Sequence, residues 1–188
     1  MKYSLIRYRS LKSFAVSTLL VLFAATALAD SATNRLSERV ISADLRRIKG
    51  PLNTMFKLCV GAGRANEGLR ADWQRQLTRV RKECGFTYIR MHGLFCDDMG
   101  VYREDKSGRP EYNWQYIDEL YDFLQSIGMK PFVELGFMPS GLASGKQTIF
   151  WWKGNVTLPR DFKKWEDFIR AFVTHLKERY GADEVRTW

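Results

Sequence analysis

Four side chains have the chemistry to hold a polar substrate, and each lies in or beside a short apolar run: Arg64, Arg90, His92 and Glu134. His92 sits at the end of Tyr88-Ile89-Arg90-Met91-His92-Gly93. Glu134 lies in the similar run Pro131-Phe132-Val133-Glu134-Leu135-Gly136-Phe137. A histidine at the C-terminal end of a strand can hydrogen-bond a hydroxyl or orient a carboxylate; the other reading is a satisfied core histidine. His175, the second of the two histidines, falls on a helix away from that end and reads as structural. Glu134 inside a strand needs partners, and Arg90 or Arg64 on neighbouring strands are candidates. An ion pair or a supporting carboxylate is favoured for it over catalysis. Asp97 and Asp98 are adjacent on a loop, where turn and cap bonds are commoner than convergence on one atom. Phe137, Trp151 and Trp152 offer apolar faces that suit sugar rings, or that pack a long loop down.

These residues need a scaffold, and the chain alternates strand and helix patterns. A first strand is expected over residues 57–61, breaking into Gly61-Ala62-Gly63-Arg64. That glycine pair lacks the third glycine of a dinucleotide loop and the Gly-Lys-Ser/Thr of a phosphate loop; it reads as a tight turn that exposes Arg64. Trp73, Leu77, Val80 and Cys84 share one face of a helix over 70–83. A second strand follows over 86–91, then a hairpin signature around Asp105-Lys106-Ser107-Gly108-Arg109-Pro110. Asn113 is placed to cap a second helix, with Ile117, Leu120, Tyr121, Leu124 and Ile127 as its buried stripe. A third strand is expected over 130–135. A third helix over 161–180 buries Trp165, Phe168, Ile169, Phe172, Leu176 and Tyr180. Residues 184–188 read as the start of a fourth strand. Short helix-to-strand turns and long strand-to-helix loops describe an α/β fold of the barrel type, with the site at the strand C-termini. A doubly wound sheet is the rival, and it lacks its fingerprint after strand one.

The first 29 residues read as an export signal. Lys2, Arg7, Arg9 and Lys12 precede an uncharged apolar run from Phe14, and Ala27-Leu28-Ala29 is a small-residue cleavage motif. The alternative is a membrane anchor, but the run is shorter than the ~20 residues a spanning helix needs. The mature protein is expected to be secreted or periplasmic, with no membrane partner after cleavage. Of the 30 basic and 21 acidic residues, this leader holds four basic and no acidic ones, which lowers the net charge from +9 to +5. The remaining charges are mixed in sign along helix faces, and an exported chain argues against a nucleic-acid partner; a binder of anionic polymers is the weaker third reading. Cys59, Cys84 and Cys96 are an odd number without a C-x-x-C, so no metal site and no cofactor are expected. One pair can bridge in an oxidising compartment; buried free thiols are slightly favoured. Residues 30–56 read as a leader with a strand over 38–45, and residues 57–188 as the folded body.

Six segments, in order, carry a resemblance: Cys59-Val60-Gly61-Ala62-Gly63-Arg64, Tyr88-Ile89-Arg90-Met91-His92-Gly93, Asp97-Asp98-Met99-Gly100-Val101-Tyr102-Arg103, Gly136-Phe137-Met138-Pro139, Leu142-Ala143-Ser144-Gly145 and Trp152-Lys153-Gly154-Asn155-Val156-Thr157. Together they resemble the N-terminal part of glycoside hydrolase family 39, the family of β-xylosidases and α-L-iduronidases, with the closer likeness to bacterial β-xylosidases. The resemblance implies a retaining glycosidase on a (β/α)8 barrel, here a partial one of about four strands and three helices. Retention implies two glutamates ~5–5.5 Å apart. In the family the acid/base glutamate lies in a Trp-Asn-Glu-Pro segment after strand four and the nucleophile near strand seven. Neither position falls within residues 1–188, so no catalytic residue is carried over. His92 and Phe137 are implied to line the sugar subsite, with Arg64, Arg90 and Glu134 in support. A xyloside or related glycoside is the implied substrate. An inactive fragment that self-associates through its exposed half-barrel is the leading expectation; a non-catalytic half-barrel that binds sugar or a partner is the alternative.

Overall fold

The computed structural model describes residues 39–188, so the leader at 1–29 lies outside the described residues. The chain divides at Gly50/Pro51 into two compact units. In the first, the strand expected over 38–45 does not form in its described part. Val40, Ile41 and Leu45 are exposed, and residues 45–46 form a turn. The cause is local: the Asp44 carboxylate accepts from the Arg46 amide at 3.0 Å, while the Asp44 carbonyl accepts from the Arg47 amide at 3.1 Å. An aspartate that bonds its own backbone two residues on makes a turn rather than a ladder.

The second unit is built on a parallel sheet of three strands, β1 (Cys59–Arg64), β2 (Tyr88–His92) and β5 (Lys130–Phe132), in the order β1-β2-β5. Helix α1 (Ala71–Cys84) joins β1 to β2, and α2 (Gln115–Ser126) leads into β5. Helix α3 (Phe162–Tyr180) follows β5. Between β2 and α2 lies the antiparallel hairpin β3 (Tyr102–Glu104) and β4 (Pro110–Tyr112). Between β5 and α3 lies a second one, β6 (Thr148–Ile149) and β7 (Gly154–Asn155). The expected fourth strand is instead a short helix, α4 (Ala182–Val185). Asp183 and Glu184 favour the positive end of a helix, and Glu184 accepts from the Trp188 indole at 2.9 Å, which folds the segment back.

All three long helices pack on one face of the sheet. Leu77 of α1, Ile117, Leu120, Tyr121 and Leu124 of α2, and Phe168, Phe172 and Leu176 of α3 share a single core with Ile89 and Met91 of β2. A doubly wound sheet would send a helix to the opposite face. Here that face carries Gly61, Arg90 and Phe132, which stand level across the three strands and are all exposed. One-sided winding is what the wall of a barrel requires. Cys84, expected on the buried stripe of α1, is exposed, because α1 ends there and Gly85 turns the chain away. All three cysteines are free thiols.

Polar ties lock the helices and the first hairpin together. Asp161 caps α3 by accepting from the Lys163 and Lys164 amides. His175 lies 2.6 Å from Asp118 of α2 and stacks on Trp114 with centroids 5.5 Å apart, a structural role as expected. Glu104, at the end of β3, accepts from Lys164 at 2.9 Å, Arg160 at 2.7 Å and the Tyr102 hydroxyl at 2.9 Å. Those donors hold its carboxyl down to about 2, Lys164 foremost. The stabilisation is therefore complete above the unfolded carboxyl value of ~4.3 and is lost as pH falls through the folded value. Glu104→Gln is expected to lower stability by about 1–3 kcal/mol at neutral pH. The gap from wild type should close between pH 4 and pH 2 in urea melts, and a gap that persists unchanged at pH 2 would refute the assignment.

Candidate functional site

The C-terminal ends of β1 and β2 are brought level by a β-bulge. Gly61 pairs with Arg90, but Arg64 rather than Gly63 pairs with His92, so β1 spends one extra residue on the step. Gly63 takes φ 68° there, a conformation open to glycine. The extra residue rotates Arg64 inward. It is 9% exposed, not the exposed turn residue expected, and it pairs with Asp98. A bulge is a known device for re-aiming a side chain beside a site; the paired glycines were its signal.

Arg64 then meets the second hairpin. Its guanidinium lies 5.1 Å from the Trp152 ring centroid and 5.6 Å from that of Trp151. Trp152 is in turn stacked on His92 at 5.2 Å, and Phe150 on His92 at 5.4 Å. Phe150 and Trp152 are themselves 5.0 Å apart, so the three rings form a triangle rather than a sandwich. Phe137, which follows a cis Gly136–Phe137 peptide, closes the cluster at 6.1 Å from His92 and 5.5 Å from Trp152. The sequence pointed to His92 and Phe137 as lining residues, with Trp151 and Trp152 as aromatics that suit sugar rings or pack the loop; the structure brings His92, Phe137 and Trp152 together and adds Phe150, which the sequence gave no reason to include.

The cluster leaves His92 with an unspent bond. Its Nδ1 is buried and has no hydrogen-bond partner among the described residues. An orphaned buried nitrogen costs about 1–3 kcal/mol, and native structures keep few of them. A ligand hydroxyl seated on the rings would repay that cost.

Glu134 lies two residues past the end of β5, not inside the strand, and pairs with Arg90 as one of the two expected partners. Its Oε1 is buried and makes no aligned hydrogen bond, so the pair is an ion contact set by proximity. Arg64 is not its partner. Asp97 accepts from the Ser140 amide at 2.9 Å and ties the two loops, while Asp98 serves Arg64, so the adjacent carboxylates do diverge. Burial pushes the Cys96 thiol up; burial also raises Cys59, against the opposing pull of Arg90. Among the described residues, no group of three or more His, Cys, Asp or Glu is placed to hold a metal ion. No described helix is long and apolar enough to cross a membrane.

A family model for glycosyl hydrolases family 39 matches residues 39–188. The chain belongs to family 39. All six resembling segments lie inside that span. A β-xylosidase of Geobacillus stearothermophilus is 51% identical over 136 residues, covering 71% of this chain and 27% of that relative. A monomeric β-xylosidase of Caulobacter crescentus CB15 superposes with a TM-score of 0.70 at 46% identity, over 77% of this chain and 29% of that one. A bacterial orthologue of human α-L-iduronidase superposes with a TM-score of 0.52 at 27% identity, over 73% and 20%. The family-39 chain thus spans less than a third of each of these relatives.

Gly154 lets the ring cluster close. A Cβ there would stand 2.7 Å from Trp152 Cζ3 and 2.8 Å from Phe137 Cδ2. Gly154→Ala is therefore expected to part the two rings, at a cost of about 1–3 kcal/mol, and to weaken the near-ultraviolet circular dichroism while the far-ultraviolet signal holds. An unchanged near-ultraviolet spectrum would contradict the packing described.

Proposed function

We propose that residues 57–188 form the first part of a (β/α)8 barrel of the β-xylosidase kind and hold the non-catalytic side of its sugar site. In this reading the whole protein hydrolyses a xyloside or related glycoside with retention. The observation that carries it is the unpartnered Nδ1 of His92, buried among Phe137, Phe150 and Trp152 at a strand C-terminus. A sugar ring offers an apolar face to such rings and hydroxyls to such a nitrogen. Arg64, Arg90 and Glu134 support the site: Arg64 through Trp152, and Glu134 with Arg90 through a charge pair on the open face of the sheet. The leader at 1–29 favours export to the periplasm or beyond.

The two glutamates that retention needs are assigned by the resemblance to positions past Trp188. The 188-residue chain is accordingly expected to show no turnover of an aryl β-xyloside while binding xylose. His92→Ala should weaken that binding about tenfold, the loss of roughly one hydrogen bond. Turnover would overturn the placement of the glutamates, and xylose affinity unmoved by His92→Ala would overturn the site.

Self-association is also proposed. Among the described residues, strands β1 and β5 are unpaired edges of the sheet. An open groove of about 730 Å³, lined by Leu135, Phe162, Trp165, Ile169 and Val173 among others, runs along α3. Sedimentation velocity is expected to show species above monomer that grow with concentration; a single monomeric boundary at all concentrations would count against it.

A further inference from the structure

We propose that Asp97 is a positioning residue: through Ser140 it sets how Phe137 stands over His92. The proposal rests on the sugar reading of that site and names what holds its geometry. Phe137 sits in a stretch, residues 136–140, that belongs to neither a helix nor a strand. Backbone without a ladder is placed by wherever its polar groups find partners. The amides of this stretch can be traced one by one. The Gly136 amide turns back to the Glu134 carbonyl at 3.0 Å. The Phe137 amide lies against the Cys96 sulfur, where it opposes the upward push of burial on that thiol. The Met138 amide donates to the Asn155 carbonyl at 3.1 Å, and Pro139 has no amide to give. The Ser140 amide donates to Asp97 Oδ1 at 2.9 Å. The Phe95 amide, in turn, donates to the Gly136 carbonyl at 2.9 Å. Three consecutive residues of the loop that leaves His92, namely Phe95, Cys96 and Asp97, thus grip the stretch at three points. Asp98 turns the other way, pairing with Arg64 and accepting from Asn66 Nδ2 at 3.2 Å through its carbonyl. One short run ties the loops after β1 and β5 to His92.

Attachment and register are separate tasks here. Phe95 and Leu142 are fully buried, so both loops are already anchored in the core. Asp97 is exposed and adds nothing to that core. What its carboxylate adds is a fixed point: Ser140, 43 positions away in sequence, is held against the loop that carries His92. The contact between the His92 and Phe137 rings, 6.1 Å between centroids, has no directional bond of its own. Its spacing is only as exact as the backbone behind it, and a binding site depends on such support being rigid. Of the two side chains that hold residues 136–140, the carboxylate is a far stronger acceptor than the Cys96 sulfur. Asp97 is therefore the point at which the spacing of the two rings is set.

The chain has two histidines, and His175, against Asp118 and Trp114, is an internal reference for His92. The test is nuclear magnetic resonance of the 188-residue chain carrying 13C-labelled histidine, with calorimetric titration of xylose, for wild type, Asp97→Ala, Asp97→Asn and Glu104→Gln. Asp97→Asn removes the same charge as Asp97→Ala but keeps an oxygen for the Ser140 amide. Asp97→Ala is expected to shift the His92 ring resonances, as the ring current of Phe137 moves, and to leave those of His175 in place. Asp97→Asn should return them most of the way. Xylose affinity should fall about fivefold in Asp97→Ala, the worth of roughly one hydrogen bond, and stay within about twofold of wild type in Asp97→Asn. Glu104→Gln, which loosens α3 and the first hairpin, should change neither the His92 resonances nor the affinity. Unshifted His92 resonances in Asp97→Ala, an equal shift at His175, or an Asp97→Asn chain no closer to wild type would overturn the positioning role. A shift at His92 with xylose affinity unchanged would overturn the claim that this spacing serves the sugar. Wild type that binds no xylose overturns the sugar reading instead, and the resonances alone then decide whether Asp97 places Phe137. Far-ultraviolet spectra that match wild type confirm that the variants are folded, as the exposure of Asp97 leads one to expect.

Discussion

The constraint on which this structure rests is that its sheet is covered on one side only. Parallel strands bury their faces under crossover helices, and here α1, α2 and α3 all cover the same face. Phe95, from the loop after β2, shows how complete that cover is. Its ring is fully buried and meets Phe168 at 4.8 Å and Phe172 at 5.1 Å, both edge-on. Among the described residues, nothing covers the opposite face in that way. It carries Gly61, Arg90 and Phe132 at one level, with the Arg90–Glu134 pair projecting from it. A charge pair that would be costly in a two-sided core is tolerable on an open face. The same asymmetry explains why polar and apolar residues alternate along β2, with Ile89 and Met91 buried and Arg90 exposed.

The site is a product of two departures from regular structure rather than of the sheet itself. The bulge in β1 brings Arg64 beside His92, and the tip at 150–153 brings Trp152 onto it. Together they give His92 an aromatic surround with one hydrogen-bonding position left open, beside the Arg64–Asp98 pair.

The long helices were legible because burial imposes a 3.6-residue period. Ile117, Leu120, Tyr121 and Leu124, and Phe168, Phe172 and Leu176, are buried as that period requires. Short segments were not, since a few residues fit either period. Residues 184–188 alternate like a strand, yet the acidic pair after Gly181 starts a helix. Residues 38–45 have strand-like apolar positions, yet Asp44 and its hydrogen bonds make a turn. Arg64 failed for a different reason. The two readings of Gly61-Ala62-Gly63, turn or bulge, differ by one residue of register, and register depends on a partner strand that local sequence does not name. The family resemblance singled out His92 and Phe137, whose rings the fold places 6.1 Å apart; it did not single out Phe150, whose place in the cluster depends on a backbone conformation that phenylalanine seldom adopts.

The second hairpin is fastened by hydrogen bonds at its base and by ring contacts at its tip. The Asn155 side-chain Nδ2 donates to the Gly145 carbonyl at 2.9 Å, and the Thr157 hydroxyl donates to the Asn155 carboxamide oxygen at 2.7 Å. The Gly145 amide donates to that hydroxyl at 3.2 Å. Below it, the Met138 amide donates to the Asn155 carbonyl at 3.1 Å. Apart from its turn bond, the tip contributes rings and not struts. The hydrogen-bonded clasp and the rings that meet His92 thus lie in neighbouring stretches of the same loop. Tips of other length or composition can be exchanged above that clasp without rebuilding the scaffold beneath it.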